Sequence, residues 1–153
     1  MKYLVTIMLF LPLLTACSSH NAFYNFKMSK PQELSEDSIS SSKIYNKDQT
    51  DGLIAAIYLN TIFPKKYNKH EYFYVYMYVK NSSSQVQFML NAKKPLHITK
   101  LAPKNSFSEF LSFSAVWADY YLLEFSHQES ENLILEAKTA HFSSNKLQFE
   151  KSE

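Results

Sequence analysis

The clearest pattern in the chain is an alternation over residues 72–79. Tyr72, Tyr74, Tyr76 and Tyr78 fall on one side of an extended backbone, and Phe73, Val75, Met77 and Val79 on the other. Successive side chains leave a strand on opposite faces, so a period of two sustained over this run predicts a β-strand. Asn81, Ser82, Ser83 and Ser84 supply a turn, after which Val86, Phe88 and Leu90 resume the alternation. The two runs are therefore expected to pair as a hairpin. Upstream, residues 52–63 are apolar on both faces, as a central strand is. Residues 96–101, 119–125, 133–137 and 146–149 read as further strands, the last two paired across 143–145. Val75, Met77, Phe88 and Leu135 are the expected core of the domain.

Residues 106–117 break this rhythm. Ser106 and Glu109 stand at capping-box spacing, and Phe107, Phe110, Leu111 and Phe113 share one side of a helix, which leaves a short helix near 106–116 or one more strand open. About seven strands at regular spacing with little helix predict an all-β domain, read as a two-sheet immunoglobulin-like β-sandwich. Trp117 and either Tyr120 or Tyr121 are expected among its core aromatics. The cysteine pair of true immunoglobulin domains is absent, so the likeness is one of architecture and implies no function.

The first residues follow a different logic. Lys2 precedes an apolar run over residues 4–14, broken by Thr6 and Pro12. A helix needs roughly 20 apolar residues to cross a hydrocarbon core, so this run reads as a secretory signal and not as a span. It closes on Leu14, Thr15, Ala16 and Cys17, which resembles the lipobox of bacterial lipoproteins. That resemblance implies removal of residues 1–16, a diacylglycerol on the Cys17 sulfur and an acylated new amino end. Several acyl chains exceed the two-signal threshold for stable membrane anchoring. Ser18 after the cysteine implies the outer membrane under the enteric sorting rule. Cys17 is also the chain's single cysteine, so no disulfide is available to the exported domain. Residues 18–43 are polar and serine-rich, and with the lipidated Cys17 they are expected to form a flexible tether over 17–43, followed by the domain at 44–153. Phe23, Tyr24, Phe26 and Met28 stand out there, as membrane-interface residues or as an extra strand on the domain.

Composition narrows the function. All 16 basic residues are lysine, and without the guanidinium fork specific nucleic-acid recognition is not expected. A single glycine, Gly52, excludes the phosphate-cradling loop, the dinucleotide fingerprint and the nucleophile elbow, each of which needs at least two. The five histidines, His20, His70, His97, His127 and His141, lack any paired spacing, so neither a metal nor a cofactor is expected. Over residues 60–104 Glu71 is the lone acid among many lysines, whereas from 105 onward acids outnumber lysines. Strands can mix these charges on one surface, or they can leave a basic face for anionic lipid or an acidic partner.

Two candidate sites remain. Tyr72, Tyr74, Tyr76 and Tyr78 make an aromatic strip suited to a sugar ring or an extended peptide, with Lys93 and Lys94 as nearby partner-binding candidates. The strip is also what a sheet face covered by the tether or by 106–117 would look like, or a sheet exterior paved with tyrosine for its β-propensity. Asp119, Glu124, Glu129 and Glu131 are the carboxylates from which a hydrolase pair would be drawn. The sequence thus predicts a lipid-anchored, non-enzymatic cell-envelope module that contacts a protein or glycan, with a small envelope hydrolase as the alternative.

Overall fold

A computed structural model describes residues 29–47, 49–80, 86–111, 115–139 and 143–151. Cys17, the rest of the lipobox and the signal segment lie outside the described residues. The described residues are mostly β, with nine strands among them: β1 (Ile39–Asn46), β2 (Gln49–Tyr58), β3 (Glu71–Val79), β4 (Gln87–Leu90), β5 (His97–Leu101), β6 (Asp119–Phe125), β7 (Asn132–Lys138), β8 (Ser143–Ser144) and β9 (Leu147–Glu150). Two helices, α1 (Lys30–Asp37) and α2 (Leu59–Ile62), and a 3-10 turn at Ser108–Phe110 complete the described elements.

The strands join in one antiparallel sheet of order β4-β7-β8-β1-β2-β3-β6-β5, with β9 also on β7. This corrects the expectation of two separate sheets. The halves are linked through β8, which meets β1 at Ile44 and Tyr45 alone, and the sheet curls there into a half-barrel. Curling lets one face of a single sheet bury itself against its own far end, as two stacked sheets otherwise would.

Inside the curl, Phe73, Val75 and Met77 of β3, with Ile54 of β2 and Leu123 of β6, pack against Phe88 of β4, Leu133 and Leu135 of β7, and Leu147 of β9. Val75, Met77, Phe88 and Leu135 are thus core residues, as their alternation predicts. β7 and β9 pair as expected, Leu133 facing Phe149. The expected hairpin between residues 72–79 and 86–90 does not form. β4 pairs with β7, while β3 lies between β2 and β6. Gly52 permits the β2–β3 pairing at its far end, because a Cβ there would stand 2.1 Å from the carbonyl oxygen of Tyr78.

The outer face of β2, β3 and β6 is covered as well. Leu59 and Ile62 of α2, together with Tyr67, Phe107, Phe110, Leu111, Ala115 and Ala118, close a second core over Ile57, Tyr74, Tyr76 and Tyr120. Residues 106–116 contribute only the 3-10 turn among the described residues, not a full helix. Tyr120 is fully buried, but Trp117 is 62% exposed, which corrects its assignment to the core.

The expected tether is also corrected from Ser29 onward. Ser29 caps α1, its amide held by the Gln32 side chain at 2.8 Å, and Pro31 opens the helix where a missing N–H costs nothing. Gln32 reaches the Glu109 carbonyl at 3.4 Å and Leu34 packs on the outer core, so α1 is docked to the domain. The serine-rich residues that follow form β1, which pairs with β2 from Ile39 opposite Ile57 to Asn46 opposite Gln49. Backbone hydrogen bonds sustain this strand without an apolar face of its own, which is why its composition resembles a linker.

Candidate functional site

The tyrosine strip is not an open platform. Tyr74 and Tyr76 are 0% and 2% exposed beneath the cover that includes Phe107, Phe110 and Ala115. Tyr74 lies against Phe107 at 5.1 Å and stacks on Tyr120 at 6.2 Å, and its hydroxyl accepts a bond from Asn105 at 3.3 Å. Burial pushes the hydroxyls of Tyr74 and Tyr76 above their ordinary pKa. The ends of the strip are half-buried: Tyr72 packs on Tyr67 at 4.7 Å, and Tyr78 meets exposed Trp117 edge-on at 4.7 Å. The physical reason is that an irregular segment, and not solvent, lies on this face. Lys93 and Lys94 are exposed, in a tight turn after β4 where Asn91 and Ala92 take φ of 47° and 64°. The structure therefore does not bring these lysines together with the tyrosines.

What it does form is a cleft of about 770 Å³ between β1 and β9, a size within the range of small-ligand sites. The β1–β8 ladder stops at Ile44 opposite Ser144, and β9 pairs with β7 and not with β1. Tyr58 and Phe149 line the cleft from the inner core, Ile39 and Ile134 add apolar surface, and Asp37 and Glu150 bring carboxylates. Lys151 and Tyr58, which also line it, lead to the one buried charge among the described residues.

That charge is Glu71, 1% exposed at the start of β3. Tyr58 donates its hydroxyl to Oε2 at 2.6 Å, the Gln128 backbone N–H donates to Oε1 at 2.9 Å, and Lys151 Nζ lies 2.7 Å from Oε1. Nδ1 of His127 is 3.2 Å from the same oxygen, and Lys151 also donates to the Gln128 carbonyl. Burial pushes the Glu71 carboxyl up, but the bonds from Gln128, Lys151 and Tyr58 outweigh it and hold the group below its ordinary value. The Tyr58 hydroxyl is driven far up, first by burial and then by its bond to Glu71. The carboxylate is ionised, and its lone pairs are occupied. Its chemistry is to tie the β6–β7 turn and the residue after β9 to the start of β3. An isolated acid in a lysine-rich stretch was the one available signal for it in the sequence.

The other titratable groups form separate pairs. Glu124 accepts bonds at Oε1 from Tyr72 at 2.9 Å and lies 2.5 Å from His70 Nδ1; the histidine contact, more than the tyrosine, lowers its pKa. Asp119 pairs with Lys100 at 2.6 Å. Glu129 and Glu131 are exposed. Of the four acids considered for a hydrolase, Asp119 and Glu124 thus have separate partners, and Glu129 and Glu131 have no side-chain partner among the described residues. Among the described residues no serine hydroxyl bonds to a histidine ring, and no group of three His, Cys, Asp or Glu side chains is placed to hold a metal. No helix among them is long and apolar enough to cross a membrane. No family model matches the chain, and no curated protein or solved structure matches it either.

Proposed function

We propose that this chain is a lipid-anchored, non-enzymatic module of the bacterial cell envelope, carried on the outer membrane by Cys17, that binds a protein or glycan partner at the cleft between β1 and β9. The observation that carries the proposal is the sequence Leu14, Thr15, Ala16, Cys17 at the end of a signal-like apolar run. The cleft supports the binding half. It sets aromatic and aliphatic surface from Tyr58, Phe149, Ile39 and Ile134 beside Asp37, Asn132, Gln148 and Glu150, the mixture of apolar walls and few polar groups that orients a ligand. The saturated bonding of Glu71 supports a structural charge over a general base.

The anchor is tested by Cys17→Ala. Wild-type protein is expected to take up labelled palmitate and to fractionate with membranes, and the variant to lose both the label and its maturation. Variant protein that still carries label and still sediments with membranes refutes the assignment. The cleft is tested by in-cell crosslinking from position 39, where the partner crosslinked by the wild-type chain is expected to disappear in an Asp37→Lys, Glu150→Lys variant of unchanged thermal stability.

A further inference from the structure

β5 ends the sheet. It pairs with β6 on one side, from His97 opposite Glu124 to Leu101 opposite Tyr120, and among the described residues no strand lies on its other side. Half of its backbone N–H and C=O groups therefore point outward without a ladder partner, which is the template on which an added strand forms. Proteins that protect such edges use charge, proline or a covering loop. Here Pro95 and Pro103 flank the strand and do not interrupt it.

The apolar pattern of the edge is unfinished. Ile98 lies opposite Leu123 and shares its core-facing side, yet Leu123 is 0% and Ile98 48% exposed. Leu96, just before the strand, is 49% exposed. The inner core thus stops one strand short of the sheet's end, and a neighbouring strand would cover what it leaves open.

The unpaired charges flanking the edge have one sign, since Asp119 and Glu124 on the neighbouring β6 are already paired, with Lys100 and with His70 and Tyr72. From residue 91 to residue 108 there is no acid. Lys93 and Lys94 precede β5 and Lys104 follows it, all exposed, and none of the three makes an ion pair among the described residues. Lys100, within the strand, is already held by Asp119. Five residues of strand span about 17 Å, so free lysines stand at both ends of one extended segment's length.

We infer that the outer edge of β5 receives an extended segment of another protein as an added strand, apolar at alternate positions in its middle and bearing carboxylates near both ends. Like charge disfavours a second copy of this chain pairing edge to edge, and the row of unpaired backbone groups selects an extended polypeptide over a lipid surface. This surface is distinct from the cleft, and its use is independent of whether Cys17 carries lipid.

The test uses the full-length protein in detergent micelles, which reads the same with or without the lipid. The probe is a fluorescent peptide with an alternating valine and threonine centre and two glutamates at each end; the control carries lysines in their place. The acidic peptide is expected to bind about tenfold or more tighter than the control, less tightly as salt rises, and to slow amide exchange at residues 97–101. Lys93→Glu with Lys94→Glu and Lys104→Glu is expected to invert the preference. Leu96→Ser with Ile98→Ser is expected to weaken binding about tenfold with the melting temperature unchanged. Equal affinity for the two peptides, no affinity for either, or protection that falls outside residues 97–101 overturns the inference. So does protection of residues 97–101 by phosphatidylglycerol bicelles with none from the acidic peptide, which would make the edge a membrane contact.

Discussion

The two faces of β3 are buried to the same depth by different means. On the inner face Phe73, Val75 and Met77 are 0%, 0% and 1% exposed, and on the outer face Tyr74 and Tyr76 are 0% and 2%. The inner row meets β4, β7 and β9, which are laddered to one another and whose core-facing side chains present only hydrocarbon. The outer row meets α2 and the irregular segment around the 3-10 turn, where backbone N–H and C=O groups have no ladder to enter and must still be paired. A tyrosine serves that second situation well, since it brings a large apolar body and a hydroxyl that can bond to the cover. Tyr74 bonds Asn105, and Tyr120 bonds Ala115. Phenylalanine on one side and tyrosine on the other thus mark a strand covered by strands and the same strand covered by a loop.

The strongest way to break this comparison is to replace Tyr74 and Tyr76 together with serine. If the outer row is core, each truncation removes buried aromatic volume of the kind that costs about 3–5 kcal/mol, so the double variant is expected to melt more than about 10 °C below wild type or fail to accumulate. Phe73→Ala, a single truncation on the inner face, is expected to fall in the same range of about 3–5 kcal/mol. Thermal melts of the two variants beside wild type decide the matter. A double variant as stable as wild type would show that the cover is dispensable and return the tyrosines to the role of an exposed surface.

Local periodicity made β3, β7 and β9 legible, along with the core positions Val75, Met77, Phe88 and Leu135, because each alternates against a buried face. It could not choose partners. β4 follows β3 in the chain and has the right alternation for a hairpin, yet its ladder is with β7, a choice set by how the whole sheet curls. β1 was hidden for the opposite reason: its serines carry no alternation, and β2 holds it by backbone pairing. The outer cover was visible as a cluster of aromatics near residue 107, but whether such a cluster lies on a neighbouring stripe depends on contacts remote in sequence. The cleft, lined by the start of β1 and the end of β9, left no mark in the sequence at all.

A smaller effect sharpens the contrast at the end of the sheet where the inner face takes in a charge. Glu71→Gln removes the anion that Lys151 and Tyr58 both bond, and breaking a buried pair from one side is expected to cost about 3 kcal/mol at neutral pH. Because the folded carboxyl lies below its ordinary value, its contribution is present above the unfolded pKa and is lost as pH falls through the folded one. Wild type should therefore lose stability on acidification more steeply than Glu71→Gln, and the gap between them should close toward acid. A gap constant with pH would show that the variant acts through packing and not through the charge. The same bonds make Lys151 a costly position to truncate.

The finest probe isolates the hydroxyl that distinguishes the outer face from the inner. Tyr120→Phe keeps the ring stacked on Tyr74 and tilted against Tyr76 and removes only the oxygen, which accepts the Ala115 N–H at 2.8 Å and donates to the Ala115 carbonyl at 3.3 Å. Ala115 is itself buried, so water cannot readily replace the lost partner. A bond between satisfied neutral groups contributes about 1 kcal/mol net, and stranding a buried donor raises the loss toward about 3 kcal/mol. The expected outcome is a lower denaturant midpoint at unchanged slope, with faster exchange at the Ala115 amide than at amides of the inner strands. A midpoint equal to wild type, with Ala115 still protected, would mean that aromatic packing alone holds the cover down. The hydroxyl would then reflect what the site tolerates and not what the loop requires.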